Sequence, residues 1–285
     1  MKVFGWNELN QLSEFVKNSN FSRSALTIGG FDGPHIGHKT LFDEVLKKNN
    51  CLKGIVTFRF TDEFIKRKND KNHCDRFFGI LSTTSMKNEI FASLGFDFCL
   101  IIDFSEKFSK IKGIDFLKIL REFCSMQFLA IGSDFRCGHN LDTGVAEIST
   151  YAKQVGLEFV VCNQVLYEER KISSSAIRSL IYDACFSKAN ELLIKPFALD
   201  VNGFDWQISE KVYSNSSDSD CYEIANSECF QVLPKEGVYN VKVFYADKEN
   251  EFFRSFLYVE SNFLRLEIPL EYSSVNPRKI IFMEN

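Results

Sequence analysis

Proline and glycine are sparse, at five and 15 of 285 residues, which excludes collagen-like repetition and Pro/Gly-rich low complexity. No run of 18 apolar residues occurs, so no membrane-spanning helix is expected. The opening Met1-Lys2-Val3-Phe4-Gly5-Trp6-Asn7-Glu8 has no apolar stretch before its first polar residues, and no secretory leader is expected either. A dominant charge is also missing. The 34 basic and 38 acidic side chains leave −4 overall, with +2 through Cys185 and −6 beyond it. Neither value is the footprint of a protein that binds polymeric nucleic acid or an anionic membrane, whereas a single bound nucleotide is compatible with both. The nine cysteines include no C-x-x-C pair. Cys51, Cys74, Cys99 and Cys124 are nearly evenly spaced, but their flanks do not repeat. Buried, reduced thiols are the simpler reading, with metal clustering or a disulfide framework as the alternative. A cytoplasmic location is the expectation.

What is present is a core. Apolar residues make up 45% of the chain, and 30 of them are Phe, so a chain of this length can bury a bulky aromatic interior. From Ala25 to Cys162 short apolar runs alternate with helical patterns. Ala25–Ile28, Gly54–Phe58, Phe98–Ile102, Phe128–Ile131 and Phe159–Val161 read as strands. Between them fall helices carrying Leu41, Val45 and Leu46; Met86, Ile90 and Leu94; Phe116, Leu117 and Leu120; and the stretch Val145–Ala152. Ser82 or Thr83 suits the N-cap of the second, and Gly95 its stop. This alternation predicts an α/β fold with a parallel sheet covered on both faces. A helix at Ser187–Leu193 precedes a change of pattern after Pro196, and four of the five prolines lie from that residue onward. Gly203–Val212, Gly237–Ala246, Phe252–Val259, Phe263–Ile268 and Lys279–Met283 then read as strands of a small antiparallel barrel-like domain. Ser214 to Asp220 reads as an exposed polar loop.

Gly29-Gly30-Phe31-Asp32-Gly33-Pro34-His35-Ile36-Gly37-His38 joins the first expected strand to the first helix. In an open parallel sheet that is the carboxyl edge, where ligands bind. Glycines allow close approach of backbone to phosphate, and a helix N-terminus offers unpaired amides to an anion. His35 and His38, one turn apart, can face the same point and donate hydrogen bonds as charge shifts on a phosphate. A plain glycine turn with two half-exposed histidines is an equal reading on spacing alone. Lys171-Ile172-Ser173-Ser174-Ser175-Ala176-Ile177-Arg178 opens another expected helix. Hydroxyls, amides and Arg178 can bind phosphate oxygens there, while a Ser cap followed by a surface Arg is the ordinary alternative.

H-x-G-H after a first strand and I-S-S-x-x-x-R before a late helix resemble the nucleotidyltransferase superfamily. The fuller Gly29–His38 motif resembles the FMN adenylyltransferase module of prokaryotic FAD synthetases, as does Leu129–Gly138, which contains Asp134, Phe135 and Arg136. Phe186–Leu193 resembles the stretch that joins this module to a riboflavin kinase barrel. The resemblance implies a Rossmann-like nucleotidyltransferase domain over residues 1–184, a helical linker over 185–199 and a riboflavin-kinase-like β domain over 200–285. It implies adenylyl transfer from ATP to FMN, giving FAD and pyrophosphate, with Mg2+ accompanying ATP. By the same resemblance His35, His38 and Arg178 are catalytic, and Gly29, Phe31, Asp32, Gly33, Ser173 and Ser174 hold ATP and its phosphates. Asp134, Phe135 and Arg136 are the flavin contacts, and no protein-held metal is assigned.

The sequence departs from the family in several places. Ser175 stands where Thr is usual, and the proline-rich segment after the second strand is replaced by Phe58-Arg59-Phe60-Thr61-Asp62. The following Lys66–Lys71 run reads as a solvated loop, with a nucleotide-covering flap as the alternative. His139-Asn140-Leu141-Asp142 replaces the family's Arg and Gly-Asp, and His139 reads as a turn histidine. Leu233–Tyr239 resembles the kinase strand L-P-x-x-G-V-Y, but no P-T-A-N occurs and Val201–Trp206 replaces the glycine-rich approach. Glu260, Glu267 and Glu271 are available carboxylates, none of them selected as a base by spacing. The expectation is a FAD synthetase without riboflavin kinase activity. Alternatives are a bifunctional enzyme with a divergent kinase, transfer to another phosphorylated acceptor such as a pyridine nucleotide or phosphopantetheine, and a non-catalytic flavin- or nucleotide-binding protein whose second domain serves a protein partner.

Overall fold

The computed structural model describes residues 1–59, 79–209, 219–245 and 248–283. Phe60, Thr61, Asp62, the charged run 66–71, Cys74 and most of the polar run 214–220 lie outside them; Ser219 and Asp220, expected in a loop, open a strand. The described residues form two compact units. One holds residues up to 59 and from 87 to 172, and the other holds 79–86 and those from 173 onward.

The first unit is built on six parallel strands: β1 (Lys2–Gly5), β2 (Ser24–Ile28), β3 (Leu52–Arg59), β4 (Phe98–Asp103), β5 (Met126–Gly132) and β6 (Glu158–Cys162), in the order β1-β4-β3-β2-β5-β6. Every residue of β2 is buried, as expected of a central parallel strand with both faces covered. The covering helices are α1 (Leu9–Lys17), α2 (Ile36–Leu46), α3 (Thr84–Leu94), α4 (Glu106–Ser109), α5 (Gly113–Phe123) and α6 (Val145–Val155). One continuous core runs from Phe4, Leu12 and Val16 through Leu26, Leu100 and Leu117 to Ile148. A two-stranded ribbon, β7 (Leu166–Tyr167) and β8 (Arg170–Lys171), closes the unit.

The five strands expected from periodicity all exist, with ends moved by a residue or two. β1 was not foreseen, because only Phe4 of its four residues is buried. The face of α3 also differs from expectation. Lys87, Ile90 and Phe91 point inward rather than Met86, Ile90 and Leu94. Thr83 Oγ1 accepts the Met86 N–H at 3.3 Å, which starts the helix, and Gly95 (φ +94°) follows its end.

The second unit carries the helices α7 (Ser174–Tyr182) and α8 (Phe186–Leu192). Its antiparallel half-barrel has seven strands: β9 (Ala198–Asp200), β10 (Gln207–Ile208), β11 (Ser219–Ala225), β12 (Gly237–Tyr245), β13 (Lys248–Val259), β14 (Phe263–Pro269) and β15 (Pro277–Phe282). They run in the order β10-β11-β14-β13-β12-β15-β9. Phe186 stacks on Phe282 at 4.4 Å between centroids, and Phe197 and Tyr239 complete that aromatic cluster. Of the expected Gly203–Val212 strand, only Gln207–Ile208 is strand among the described residues. β9 and β11 were not foreseen. No helix among the described residues is long and apolar enough to cross a membrane.

Candidate active site

Strand order reverses at β2, with β3 on one side and β5 on the other. The loop after β2 therefore opens at a topological switch point, the place where such sheets bind ligands. Gly29 still belongs to the sheet, its N–H donating to Val56 O at 3.0 Å. A Cβ at Gly29 would lie 2.8 Å from the Phe31 ring, so the absence of a side chain there lets Phe31 fold back. Phe31 is buried, and its ring meets His38, Phe42 and Phe91 edge-on at centroid distances of 5.1, 5.1 and 6.1 Å. Its φ of +47° is left-handed, a conformation costing a non-glycine residue about 1–2 kcal/mol, which this ring packing offsets. Gly33 turns the chain at φ +58°.

His35 is the N-cap of α2 and His38 its third residue. The His38 N–H donates to His35 Nδ1 at 3.3 Å, and the His35 N–H donates to His38 Nδ1 at 3.4 Å. Two orphan donors of the helix start are thus engaged reciprocally by imidazoles, as Ser and Glu engage them in an ordinary capping box. The rings stack at 3.6 Å with 16° between planes. A Cβ on Gly37 would sit 3.0 Å from His35 Nδ1 and Cε1, so the third glycine of the motif gives the ring its space.

Burial sets the charge of the pair. It lowers His35 from the ordinary 6.5 to about 4; the bond to its own backbone opposes this, and the Lys171 ammonium adds to it. His38 is held well below 6.5, first by burial, then by His35 and Lys87. Both rings are neutral at pH 7. With each Nδ1 accepting, the proton of each ring resides on Nε2. The pair therefore presents N–H donors without itself accepting a proton.

Beneath the loop lies Lys87, 6% exposed. Its Nζ donates to Gly30 O at 3.1 Å, Phe58 O at 3.2 Å and Thr57 Oγ1 at 3.3 Å. Thr57 Oγ1 donates to the same Gly30 oxygen at 3.0 Å. Burial lowers the Lys87 ammonium from its usual range, and the Asp32 carboxylate opposes that shift. Taking an ammonium out of water costs several kcal/mol, which the three acceptors and Asp32 offset. Neither Lys87 nor Thr57 was singled out in the sequence. The available signal was a lysine at i, with Ile90 and Phe91 at i+3 and i+4, on a helix face that packs inward.

The remaining candidates are distributed as follows. Asp134, Phe135 and Arg136 follow β5, the neighbour of β2. Asp134 is ion-paired with Lys171, which holds its carboxyl below the usual range. Phe135 packs partly buried on the main core. Arg136 Nε donates to Leu141 O at 3.1 Å. His139 lies in an exposed turn, its Nδ1 2.9 Å from Ser109 O. Ser173, Ser174 and Arg178 belong to the second unit. Ser173 caps α7, its Oγ accepting the Ala176 N–H at 3.2 Å. Ser174 is the first residue of that helix, and Arg178 Nε donates to Gly79 O at 2.7 Å. Among the described residues no three His, Cys, Asp or Glu side chains are grouped to hold a metal ion. The eight described cysteines are free thiols.

A parallel sheet with a glycine-rich loop at its switch point and a stacked histidine pair at the following helix start defines a nucleotidyltransferase of the Rossmann-like class, and the chain carries a separate antiparallel half-barrel unit. The sequence profile of the FAD synthetase family matches residues 17–176. The chain belongs to that family and is a nucleotidyltransferase. It is 30% identical over 230 residues to a bifunctional riboflavin kinase/FMN adenylyltransferase of Buchnera aphidicola subsp. Schizaphis graminum, covering 78% of this chain and 69% of that protein. It is 22% identical to a FAD synthetase of Listeria monocytogenes, over 78% of this chain and 92% of that one. The bifunctional protein of Escherichia coli K12 is 26% identical, over 61% of this chain and 55% of its own. In fold it resembles a Streptococcus pneumoniae structure described as a macrolide-efflux protein, with TM-score 0.73 at 18% identity over the whole chain and 91% of that one.

Proposed function

We propose that this chain transfers the adenylyl group of ATP to FMN, giving FAD and pyrophosphate. A phosphate oxygen of FMN attacks the α-phosphorus, and the bond from that phosphorus to the bridging β-oxygen breaks. Pyrophosphate leaves with the electron pair. The FMN phosphate is an anion at neutral pH, so the reaction asks for alignment and charge stabilisation rather than a strong base. The observation that carries this reading is the reciprocal histidine cap at the start of α2. Two neutral imidazoles that only donate suit a site that must hold phosphate without taking protons from it.

In this reading His35 and His38 donate through Nε2 to the ATP phosphates. Gly29, Phe31, Asp32 and Gly33 shape the nucleotide side. Ser173, Ser174 and Arg178 take the pyrophosphate side, and Asp134, Phe135 and Arg136 are the flavin side, at the carboxyl end of the strand next to β2. Mg2+ is assigned to the nucleotide's own phosphates and water, the oxygen ligands that this hard cation takes in phosphate sites. None of the steps given to protein residues runs through it. The enzyme is expected in the cytoplasm.

The reading includes the loss of riboflavin kinase chemistry. A riboflavin hydroxyl needs a base that FMN's phosphate does not. Two carboxylates noted in the sequence are engaged: Glu260 is ion-paired with Arg265, and Glu267 accepts the Tyr258 O–H at 2.6 Å. Purified protein given ATP, Mg2+ and FMN should release FAD; given riboflavin in place of FMN, it should release neither FMN nor FAD. An FMN peak from riboflavin would instead establish a divergent, working kinase.

A further inference from the structure

Lys87 has no place in the chemistry assigned above, yet its buried ammonium is bound to the glycine loop at the Gly30 carbonyl. A lysine on the inward face of a helix, with Ile90 and Phe91 as neighbours on that face, is unfavourable for packing alone, where Leu or Met would serve. Satisfying the Gly30 carbonyl does not demand a cation either, because Thr57 Oγ1 already donates to it. The charge itself needs a use. The Gly30 carbonyl belongs to the peptide bond whose N–H is that of Phe31. In a planar trans peptide these two groups point in opposite directions. Anchoring the carbonyl on Lys87 Nζ and Thr57 Oγ1 therefore directs the Phe31 amide away from α3. Phe31 sits at φ +47°, so this peptide is held against its intrinsic preference.

We infer that Lys87 is the positioning residue of the phosphate site: it fixes the Gly30–Phe31 peptide so that the Phe31 amide faces the nucleotide's phosphates, and it sets a positive charge beneath them. It acts through the loop and does not touch substrate. This rests on the adenylyl-transfer reading for its substrate, and the experiment keeps the two apart. A buried cation within one peptide of an anion site acts in low dielectric, where its field is poorly screened.

The test uses the full chain with Lys87→Met, which keeps length and removes charge, and Lys87→Gln, a neutral donor. Binding of Mg-ATP and of adenosine is measured by calorimetry, and FAD formation by chromatography, with thermal unfolding to verify the fold. Lys87→Met should weaken ATP binding about tenfold and lower kcat/KM for ATP about 100-fold. Adenosine binding, which involves no phosphate, should change less than twofold. Lys87→Gln should recover part of kcat by holding the peptide, without recovering ATP affinity. Equal losses for ATP and adenosine would reduce Lys87 to a structural support and overturn the inference. So would unchanged ATP binding in a folded Lys87→Met protein, or full recovery of ATP affinity by Gln. If one variant fails to fold, the other supplies the same ATP-to-adenosine comparison. Failure of the wild type to make FAD would refute adenylyl transfer alone, since the ATP-to-adenosine comparison would still judge Lys87.

Discussion

Acidification should destabilise the first unit through His35, by an amount that follows from its environment. In the unfolded chain this imidazole titrates near 6.5, whereas in the folded protein burial holds it at about 4. Between those values the unfolded state binds the extra proton, so the stability contributed is complete above pH 6.5 and is lost as pH falls towards 4. At pH 4.5 the unfolded imidazole is almost wholly charged and the folded one mostly neutral, a difference of about 2–3 kcal/mol relative to pH 8. His38 shifts in the same direction and adds to the loss. His35→Asn removes the titration while keeping an N-cap acceptor of good quality. Trp6 reports on this unit, since its ring packs against Phe108 and Phe116 at 5.2 and 5.9 Å. The chain has two Trp, so Trp206→Phe leaves Trp6 as the sole indole. Urea unfolding followed by its fluorescence should show the wild type losing about 2–3 kcal/mol more than His35→Asn between pH 8 and pH 4.5. Because carboxylates elsewhere titrate in both proteins, their contribution cancels in the comparison. Parallel stability curves would mean that His35 is not held neutral by burial, and the proposed donor role of its Nε2 would fall with it.

Three further outcomes are expected. His38→Ala removes a ring that stacks on His35 and meets Phe31 edge-on and should cost about 2–3 kcal/mol in urea unfolding, a lost cap plus a small packing void, while turnover falls about 10²–10³-fold as one charge-stabilising donor disappears; unchanged turnover in the folded variant removes His38 from that role. Gly37→Ala brings a methyl to 3.0 Å from the His35 ring, and displacing that ring should cost about 1 kcal/mol of cap energy with a loss of turnover; wild-type activity would show that the ring position is immaterial. In the second unit, Arg265→Leu leaves Glu223 and Glu260 without the partner they share, and should cost about 3 kcal/mol, the low end for a broken buried pair because both carboxylates are partly exposed. Trp206 fluorescence in a Trp6→Phe background measures it, and a loss below about 0.5 kcal/mol would indicate an ion pair without net value.

Much of the first unit was legible because its strands are short apolar runs between amphipathic helices. The loop from Gly29 to His38 was legible as a candidate site because glycines and two histidines fall between such a run and such a helix. What stayed hidden depends on contacts distant in sequence. β1 buries one residue of four and exists through its pairing with β4. β11 reads Ser-Asp-Cys-Tyr-Glu-Ile-Ala and buries only Ile224, so neither hydropathy nor alternation marks it. The inward face of α3 was misassigned because a lysine is not counted as a core residue, yet Lys87 is buried there and bonds the Gly30 carbonyl of the loop. The neutral state of the histidines was equally illegible, since spacing places two rings together but only the folded environment decides their charge.

The central claim is that this chain moves an adenylyl group to FMN. The purified protein should be incubated with Mg2+, FMN and ATP labelled at the α-phosphate, with products separated by chromatography. The label is expected in FAD, one pyrophosphate is expected per FAD formed, and His38→Ala should lower both together. FMN and ATP bound but unconverted over many hours, or label recovered only in AMP, would contradict the account.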